Sequence, residues 1–375
     1  MMKMQELLID RDNYRNTKII ETKSRPLVDG EVRVAIDKYG LTANNVSYAV
    51  SGDMIGYWKY YPVDSNNGVN WGKVPVWGMA DIVESKCNGV EVGERIYGFL
   101  PMSSEVIMRP GKMKAASFVD IAEHRKPLPE LYNGYSRTAG EPALYKTLEN
   151  ERCLLFPLFM TGYVLADFLA DNNYWGAEQV LIGSVSSKTG FSMAAFLNSE
   201  TNFDGKLVGL TSPRNEAFVE SLGDCQQIVT YGEESEIDSS KKTAYVDMSG
   251  NGELRNILHN YLGDNMVRSI GVGATHWEER RSGGKMPGAK PEFFFAPAQI
   301  GKRNKDWGPG VLMQRAYAAG AQLAARTSDN LNVEFLNGME AARDIWIETL
   351  ENKVSPKRGI MVSLKKQNTG FYANT

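Results

Sequence analysis

The chain has 375 residues, of which 42% are hydrophobic and 23% charged, and its formal net charge is −3. This length allows two domains with sizeable cores, and the composition is ordinary for a folded globular protein. The weak negative charge predicts neither a nucleic acid partner nor an anionic membrane partner, because both bind basic surfaces.

The beginning of the chain and its cysteines predict a cytoplasmic protein. Charged residues interrupt the apolar residues of MMKMQELLIDRD, unlike a signal peptide, and no apolar run has the roughly 20 residues that span a bilayer. Cys87, Cys153 and Cys225 are odd in number and far apart, which favours a reducing compartment. They form no Cys-x-x-Cys pair and have no neighbouring histidine, so no metal site is predicted.

The first part of the chain predicts short strands. Apolar and charged residues alternate in EVRVAI, residues 31–36, with the period of a half-buried strand. VPVWGMADIVES and ERIYGFL are similar, and the turn formers of CNGVEVG separate them. The tract from His124 to Pro142 is rich in turn formers and predicts a long surface excursion. We expect a β-rich domain over residues 1–150, completed by about residues 325–375.

After Cys153, strand-like runs alternate with helix-like runs. QVLIG precedes GFSMAAFLNSE, KLVGL precedes RNEAFVESLG, QIVTY follows, and AYVDM precedes NGELRNILHNYLG. The last of these helices is predicted to present one apolar face, made of Leu254, Ile257, Leu258, Tyr261 and Leu262. VRSIGVG and EFFFAP predict further strands. The alternation predicts an α/β domain with a doubly wound parallel sheet at residues 151–324.

A polar cluster with one lysine divides two apolar runs in VLIGSVSSKTGFSMAAFL, residues 180–197. A triphosphate-binding loop requires G-x-x-x-x-G-K-[ST]. Here Lys188 comes one position too early, and Ser187 stands before it where the motif has a glycine. The spacing therefore does not match a triphosphate-binding loop.

A dinucleotide-binding loop requires a strand, a tight turn and a helix N-terminus that faces the phosphates. VLIG supplies the strand, and Gly190 permits close packing of the helix on it. Hydroxyl groups come from Ser184, Ser186, Ser187 and Thr189. The glycine pattern is incomplete, so a serine-capped turn without a ligand is an equal alternative for this loop alone.

The next turn, in KLVGLTSPRNEAF, changes this balance. An acidic residue after the second strand selects NAD, whereas an arginine there accommodates the 2′-phosphate of NADP. No acid precedes Glu216, and Thr211, Ser212 and Arg214 stand where that phosphate would lie. The two turns together favour NADP(H) over NAD and over an ordinary capped helix.

With these residues the chain resembles the medium-chain dehydrogenase/reductase superfamily, on its zinc-free, quinone-oxidoreductase-like side. More narrowly, it resembles a branch described only as a domain of unknown function. The segments that carry the resemblance are YGLTANNVSYAVSGDMIGYW, VPVWGMADIV, VGERIYGF, PLFMTGYVLADFLADN, SVSSKTG, GLTSPRN, YVDMSGN and VGATHWE. The resemblance implies a GroES-like β-barrel domain, a Rossmann domain and a homodimer formed through the Rossmann domain. Zinc-dependent members of the superfamily carry zinc ligands in two segments. In this chain those segments are DKYGLTANN and VWGMADI, which lack the ligands, so no catalytic metal is implied.

The resemblance also implies roles for single residues. PLFMTGY matches a helix that contacts the nicotinamide, which puts Thr161 and Tyr163 near the cofactor. Asn44 stands at the family's pocket asparagine, although the register leaves Asn45 open. Tyr48 falls where such proteins place a tyrosine in the nicotinamide pocket. This phenol can donate a proton beside a hydride acceptor, or it can simply pack in the barrel wall.

The loop departs from the family pattern. Gly190 keeps its last glycine, whereas Ser187 and Lys188 replace two others, so the resemblance implies a pyrophosphate held partly by the lysine charge. Gly273 and Thr275, in VGATHWE, are also implied to bind the cofactor.

Further candidates follow the predicted strands, at the edge of the sheet where ligands bind. His276 lies at the end of the run SIGVGATHW, just before Trp277, and the pKa of a histidine suits proton transfer near neutral pH; a loop histidine bonded to the backbone is the alternative. Asp247 and Asn251 flank MSG at the same edge, with a turn and a helix cap as the alternative. His124 and His259 are expected to be structural or solvated.

The aromatic residues leave a choice open. Six aromatic residues could form a wall of the substrate pocket or could pack inside the barrel, and the sequence does not decide between these roles. They are Tyr57, Trp58, Tyr60, Tyr61, Trp71 and Trp77. The run from Phe293 to Phe295 is predicted to be core.

The leading hypothesis is therefore an NADPH-dependent oxidoreductase that transfers hydride to an enone, quinone or carbonyl substrate without a catalytic metal. Two alternatives stay open: a non-redox, lyase-type enzyme on the same fold, and a non-catalytic NADP-binding sensor or interaction protein.

Overall fold

The computed structural model of the protein describes residues 3–63, 68–272 and 286–365. The strands are β1 (Lys3–Asp10), β2 (Thr17–Lys23), β3 (Val32–Leu41), β4 (Trp71–Gly72), β5 (Pro75–Ser85), β6 (Arg95–Pro101), β7 (Glu105–Met108), β8 (Pro110–Lys114), β9 (Ser117–Asp120), β10 (Gly134–Arg137), β11 (Gln179–Gly183), β12 (Lys206–Thr211), β13 (Gln227–Thr230), β14 (Thr243–Asp247), β15 (Met266–Gly271), β16 (Glu292–Phe293), β17 (Asn332–Asn337) and β18 (Arg358–Ser363). The α-helices are α1 (Ala43–Val50), α2 (Gly52–Ile55), α3 (Ala143–Thr147), α4 (Glu149–Leu154), α5 (Phe156–Asp171), α6 (Lys188–Ser199), α7 (Glu216–Leu222), α8 (Gly252–Leu262), α9 (Ala296–Asp306), α10 (Val311–Arg326) and α11 (Gly338–Leu350).

The first sheet unites the beginning and the end of the chain. It has nine strands in the order β17-β18-β3-β5-β6-β10-β9-β8, with β7 also paired to β3. The pairs within it are antiparallel except β17 with β18. Because β18 pairs with β3, with Ile360 opposite Leu41, the C-terminal segment returns to the N-terminal domain. We call this sheet and the helices packed on it the barrel domain.

The second sheet is parallel and has the order β13-β12-β11-β14-β15-β16. Helices α5, α6 and α10 contribute to the core on one face, and α8 packs Leu254, Leu258 and Leu262 on the other. The strand order reverses between β11 and β14, which opens a crevice beyond the carboxyl ends of these strands. We call this unit the nucleotide domain. The predicted α/β fold class is confirmed.

The prediction for the tract from His124 to Pro142 was wrong. The tract from His124 to Pro142 is not a surface excursion, because β10 lies within the first sheet and Tyr135 is fully buried there. Arg125 is buried in the same region, where it forms an ion pair with Asp120. The many turn formers of this tract join short elements that are themselves part of the core.

The apolar face of α8 is narrower than predicted. Leu254, Leu258 and Leu262 are buried at a spacing of four residues, whereas Ile257 is 43% and Tyr261 37% exposed. His259 is also buried, and it contacts the carbonyl oxygen of Pro287 at 2.8 Å and the hydroxyl of Ser269 at 2.9 Å. Within the described residues, no helix has both the length and the apolar character needed to cross a bilayer.

Candidate functional site

A cleft of about 750 Å³ lies between the barrel domain and the carboxyl edge of the parallel sheet. The barrel domain contributes α1, β5 and the turn before β18, and the nucleotide domain contributes the loops that follow β11, β12 and β13. The predicted site residues that line this cleft are Asn44, Tyr48, Thr161, Ser184, Ser186, Ser187, Lys188, Thr189, Ser212 and Arg214. Residues that are distant in the sequence therefore meet in one place.

The loop after β11 turns sharply into α6. Ser184 adopts a left-handed backbone conformation, with φ of 55°, and its N–H donates to the hydroxyl of Tyr231 over 3.1 Å. The hydroxyl of Ser187 caps α6 by accepting the N–H of Gly190 at 3.1 Å. The sequence analysis gave a serine-capped turn as one of two alternatives for this loop, and the serine cap is present. The N–H groups of Lys188 and Thr189 lie in the first helical turn, where no helical acceptor exists for them.

Gly190 allows α6 to lie against the end of β11. A Cβ atom at this position would be 2.7 Å from the carbonyl oxygen of Ser184 and 2.8 Å from the Cα of Val185. Both neighbours are backbone atoms, so a side chain here would push the helix away from the strand. This close helix–strand contact is the one that the last glycine of a dinucleotide loop provides.

Lys188 reaches from α6 to the barrel domain. Its Nζ lies 3.3 Å from the carbonyl oxygen of Pro356 and 3.2 Å from that of Arg358. Burial lowers the pKa of Lys188 to about 8. Among the described residues, no carboxylate forms an ion pair with it. The lysine is thus a desolvated cation whose partners are neutral.

Arg214 makes a similar contact at the edge of the same cleft. Its guanidinium donates to the carbonyl oxygen of Asn352 over 2.9 Å. Beside it, the hydroxyl oxygen of Ser212 is buried without a hydrogen-bond partner among the described residues, and so is that of Thr211 at the end of β12. Unpaired buried hydroxyls are uncommon in folded proteins, so they indicate a missing polar partner.

The donor set of the nucleotide domain suits a phosphorylated dinucleotide. It combines two cations, the unpaired hydroxyl of Ser212 and the free amides of a helix N-terminus, which are the groups that bind phosphate. Tyr231, which the sequence reasoning missed, adds a hydroxyl to this group, and its burial raises its pKa to about 12. The residues present therefore fit NADP(H).

The barrel side of the cleft is built around Tyr48. The indole N–H of Trp77 donates to the Tyr48 hydroxyl over 3.0 Å, and the side chain of Asn44 bonds to the same hydroxyl. Burial raises the pKa of Tyr48 above its ordinary value, against these hydrogen bonds, which lower it. Asn45 instead donates to the carbonyl oxygen of Pro75 within the domain, so Asn44 is the asparagine that lines the cleft.

Aromatic side chains form most of this wall. The cleft is lined by Tyr57, Trp77, Tyr97 and Tyr132. Tyr57 and Tyr132 join their hydroxyls at 2.8 Å. Trp58, Tyr60 and Tyr61 are instead buried in the barrel core, so the aromatic residues of the sequence divide between the two roles. Sequence reasoning missed Tyr132, which lies in the tract interpreted as an excursion.

The opposite wall is apolar and comes from the nucleotide domain. It includes Met160, Met248, Phe294 and Tyr317. Phe294 is buried as predicted, whereas its neighbours Phe293 and Phe295 are 49% and 42% exposed and also line the cleft.

Some predicted residues lie outside the cleft lining. Asn251 caps α8 by accepting the N–H groups of Glu253 and Leu254, each at 3.0 Å. One carboxylate oxygen of Asp247 accepts the N–H groups of the next turn, and burial raises the pKa of this residue. For both residues the structure has the turn and the cap that were the alternative.

Three others were predicted to bind the cofactor or to contact it, and they too lie behind the lining. Thr211 ends β12 and Gly190 supports the loop. Tyr163 packs on Phe196 in the core.

The remaining candidates include three residues that fall outside the described residues, namely Gly273, Thr275 and His276, whose roles stay predictions. His124 contacts the carbonyl oxygen of Tyr60 at 3.2 Å. In residues 3–63, 68–272 and 286–365, no cluster of His, Cys, Asp or Glu side chains could hold a metal ion.

Comparisons with known proteins address the fold and the family. Residues 39–355 match the family described as "Protein of unknown function (DUF2855)". No curated protein matches the chain. Among solved structures, the chain is similar to CurA from Vibrio vulnificus in complex with NADPH, at 11% identity and a TM-score of 0.62, over 96% of this chain and 99% of that one.

Two more structures have a similar architecture. The quinone oxidoreductase from Coxiella burnetii is 13% identical with a TM-score of 0.53, over 97% of this chain and 100% of that one. The CurK enoyl reductase is 14% identical with a TM-score of 0.51, over the same shares. At such low identity these likenesses establish the fold alone. They confirm the predicted combination of a barrel domain with a Rossmann domain.

Proposed function

The chain belongs to the DUF2855 family of proteins of unknown function, and we propose that it is an NADPH-dependent reductase. Its substrate would be an enone, quinone or carbonyl compound, and no catalytic metal would take part. Similar folds occur in a protein crystallised with NADPH, in a quinone oxidoreductase and in an enoyl reductase, which supports this class of reaction.

The observation that carries the proposal is the pair of cations in the cleft. Lys188 and Arg214 have only carbonyl oxygens as partners within the described residues, in a cleft where the unpaired hydroxyl of Ser212 also lies. Arg214 is exposed, whereas Lys188 is desolvated, and a desolvated cation without a counter-charge is costly unless an anionic ligand offsets that cost. The phosphates of NADPH would supply this charge.

We assign the ends of the cofactor from the two loops. The helix N-terminus at Lys188 and Thr189 would hold the pyrophosphate, because its amides are unpaired within the helix. Ser212 and Arg214 would hold the 2′-phosphate, and the absence of an acidic residue between Thr211 and Glu216 favours NADPH over NADH. When bound, NADPH supplies a hydride.

The barrel domain would supply the proton and the substrate wall. Tyr48 lines the cleft, and its hydroxyl is held in place by contacts with Trp77 and Asn44. The aromatic and methionine side chains on the two walls would exclude water and pack against an apolar, conjugated substrate.

A titration of the purified protein tests the cofactor assignment directly. Protein fluorescence is measured with NADPH and, separately, with NADH, and NADPH absorbance is then followed with a panel of quinones and enones. We expect tighter binding of NADPH than of NADH and consumption of NADPH with at least one substrate. Failure to bind either dinucleotide would reject the proposal. Binding without turnover across the panel would favour a non-catalytic NADP sensor.

A further inference from the structure

The turn between α11 and β18, residues 351–357, lies across from the nucleotide-binding loops. This turn joins two elements of the barrel domain, but its carbonyl groups face cations of the nucleotide domain. Asn352 adopts a left-handed conformation with φ of 55°, and its carbonyl oxygen meets the guanidinium of Arg214. The carbonyl oxygens of Pro356 and Arg358 meet Lys188. We call residues 352–358 the carbonyl segment.

These contacts join positions that are far apart in the sequence. Lys188 and Arg358 are separated by 170 residues, and Arg214 and Asn352 by 138. The family pattern has a glycine where this chain has Lys188, and a glycine has no side chain that could reach β18. The lysine therefore adds a junction between the two domains directly beside the first turn of α6.

The geometry of Lys188 leaves its charge incompletely balanced. An ammonium group has three N–H donors, and two of them are directed to the carbonyl oxygens of Pro356 and Arg358. Carbonyl dipoles satisfy hydrogen bonds but carry no net charge, so desolvation of the lysine is only partly offset. The third donor remains for a ligand, because Lys188 lines the cleft.

We propose that Lys188 is a positioning residue that fixes the nucleotide domain against the barrel domain, and that the cofactor pyrophosphate completes this junction. The inference rests on the proposed function and goes beyond it. Because the phosphate and the carbonyl segment share one ammonium group, dinucleotide binding is linked to the conformation of residues 352–358.

Hydrogen–deuterium exchange tests the linkage without relying on activity. Amide exchange in residues 352–358 is measured with and without NADPH in the wild type, Lys188→Met and Lys188→Arg. We expect NADPH to slow exchange there by at least about threefold in the wild type, because ordering of a segment reduces its local opening. Lys188→Met is expected to lose this response and Lys188→Arg to retain it. Lys305→Met, an exposed lysine on α9, is the matched control and responds like the wild type.

The outcomes separate this inference from the proposed function. If NADPH binds the wild type while exchange at 352–358 is unchanged, the positioning role is wrong and the cofactor assignment stands. A Lys188→Met protein that binds NADPH and still responds like the wild type also overturns the positioning role. If no dinucleotide binds any variant, the proposed function fails, and the inference fails with it.

Discussion

The indole N–H of Trp77 donates a hydrogen bond to the hydroxyl oxygen of Tyr48 over 3.0 Å. Burial raises the pKa of this phenol, and its contacts with the side chains of Trp77 and Asn44 lower it in part. A hydroxyl group has two acceptor lone pairs and one hydrogen. The indole N–H of Trp77 therefore occupies one lone pair of the oxygen, and this contact does not use the hydrogen of the hydroxyl. The arrangement leaves Tyr48 as a proton donor towards the cleft.

Tyr48→Phe removes this proton donor while keeping the aromatic wall. We expect kcat to fall by about 10²-fold or more, because general acid catalysis contributes about 10²–10⁴-fold, and NADPH affinity to stay unchanged. Steady-state kinetics and a fluorescence titration measure the two quantities. Tyr132→Phe, on the same wall, is the control and should keep its kcat, since its hydroxyl pairs with that of Tyr57. An equal loss in both variants would mean that packing, and not proton transfer, matters here.

Arg214→Ala tests the 2′-phosphate site. We expect NADPH affinity to fall about 10- to 100-fold, because a hydrogen bond to a charged group is worth about 1.5–3 kcal/mol. NADH affinity should change little, since NADH has no 2′-phosphate. Titrations with both cofactors check this, and Arg343→Ala, an exposed arginine of α11 paired with its neighbour Asp344, serves as the control. Equal weakening of NADPH and NADH would contradict the assignment.

Gly190→Ala tests the contact between α6 and β11. The new Cβ would meet backbone atoms of Ser184 and Val185 at 2.7 and 2.8 Å, so the helix must shift. We expect the free energy of unfolding to fall by about 1–3 kcal/mol, as in other overpacked sites, and NADPH binding to weaken with it.

A second glycine provides the control for that variant. Gly301 lies within α9, and nothing lies within 4 Å of the position of its Cβ. Gly301→Ala should leave stability unchanged or raise it by up to about 1 kcal/mol, because alanine is the better helix former. Urea denaturation of both variants measures the difference. A Gly190→Ala protein as stable as Gly301→Ala would show that α6 can move away from β11 at little cost.

The sequence predicts the fold well because its signals are local. Strand and helix periods alternate after Cys153, and alternation of that kind produces a parallel sheet. The ends of those strands meet at one edge, which is why the loops after β11 and β12 could be placed in one cleft. The register between Asn44 and Asn45 needed the structure, since only the packing of Asn45 on Pro75 decides it.

The rest of the site depends on contacts that no local pattern encodes. Lys188 meets Arg358 across 170 residues, and the sequence offers no signal for a lysine bonded to backbone carbonyls. Tyr132 lies in a tract of turn formers, and Tyr231 follows a strand without any motif, so neither could be assigned to the cleft. Tertiary packing alone brings these residues together.

The half-buried ammonium group of Lys188 predicts a specific pH dependence of stability. Its pKa is about 8 in the folded protein, whereas a lysine in an unfolded chain has a pKa of about 10.4. Between these values the unfolded chain binds more protons than the native state, so the contribution of Lys188 to stability rises with pH across this window. Below pH 8 the charged lysine is a cost in the absence of an anion.

Lys188→Met should therefore not lower the stability of the ligand-free protein at neutral pH. We also expect a smaller rise in its free energy of unfolding between about pH 8 and 10 than in the wild type. Urea denaturation across that range measures both effects, with Lys305→Met as the matched control. A large loss of stability at neutral pH would mean that the bonds to Pro356 and Arg358 outweigh the cost of burying the charge.

Deprotonation of Lys188 also predicts how NADPH affinity depends on pH. Loss of the Lys188 proton removes the charge that faces the pyrophosphate, so the dissociation constant of wild-type protein should increase as the pH rises above 8. Binding of the anion moves this transition upwards, because it favours the charged lysine. The ion pair with Glu334 raises the pKa of Arg358, and burial raises the pKa of Tyr231 to about 12, so these neighbours do not titrate in the same range. Lys188→Arg should bind NADPH with little change over this range, since arginine stays charged. Fluorescence titrations at several pH values test this, and an equal pH dependence in both proteins would place the titrating group elsewhere.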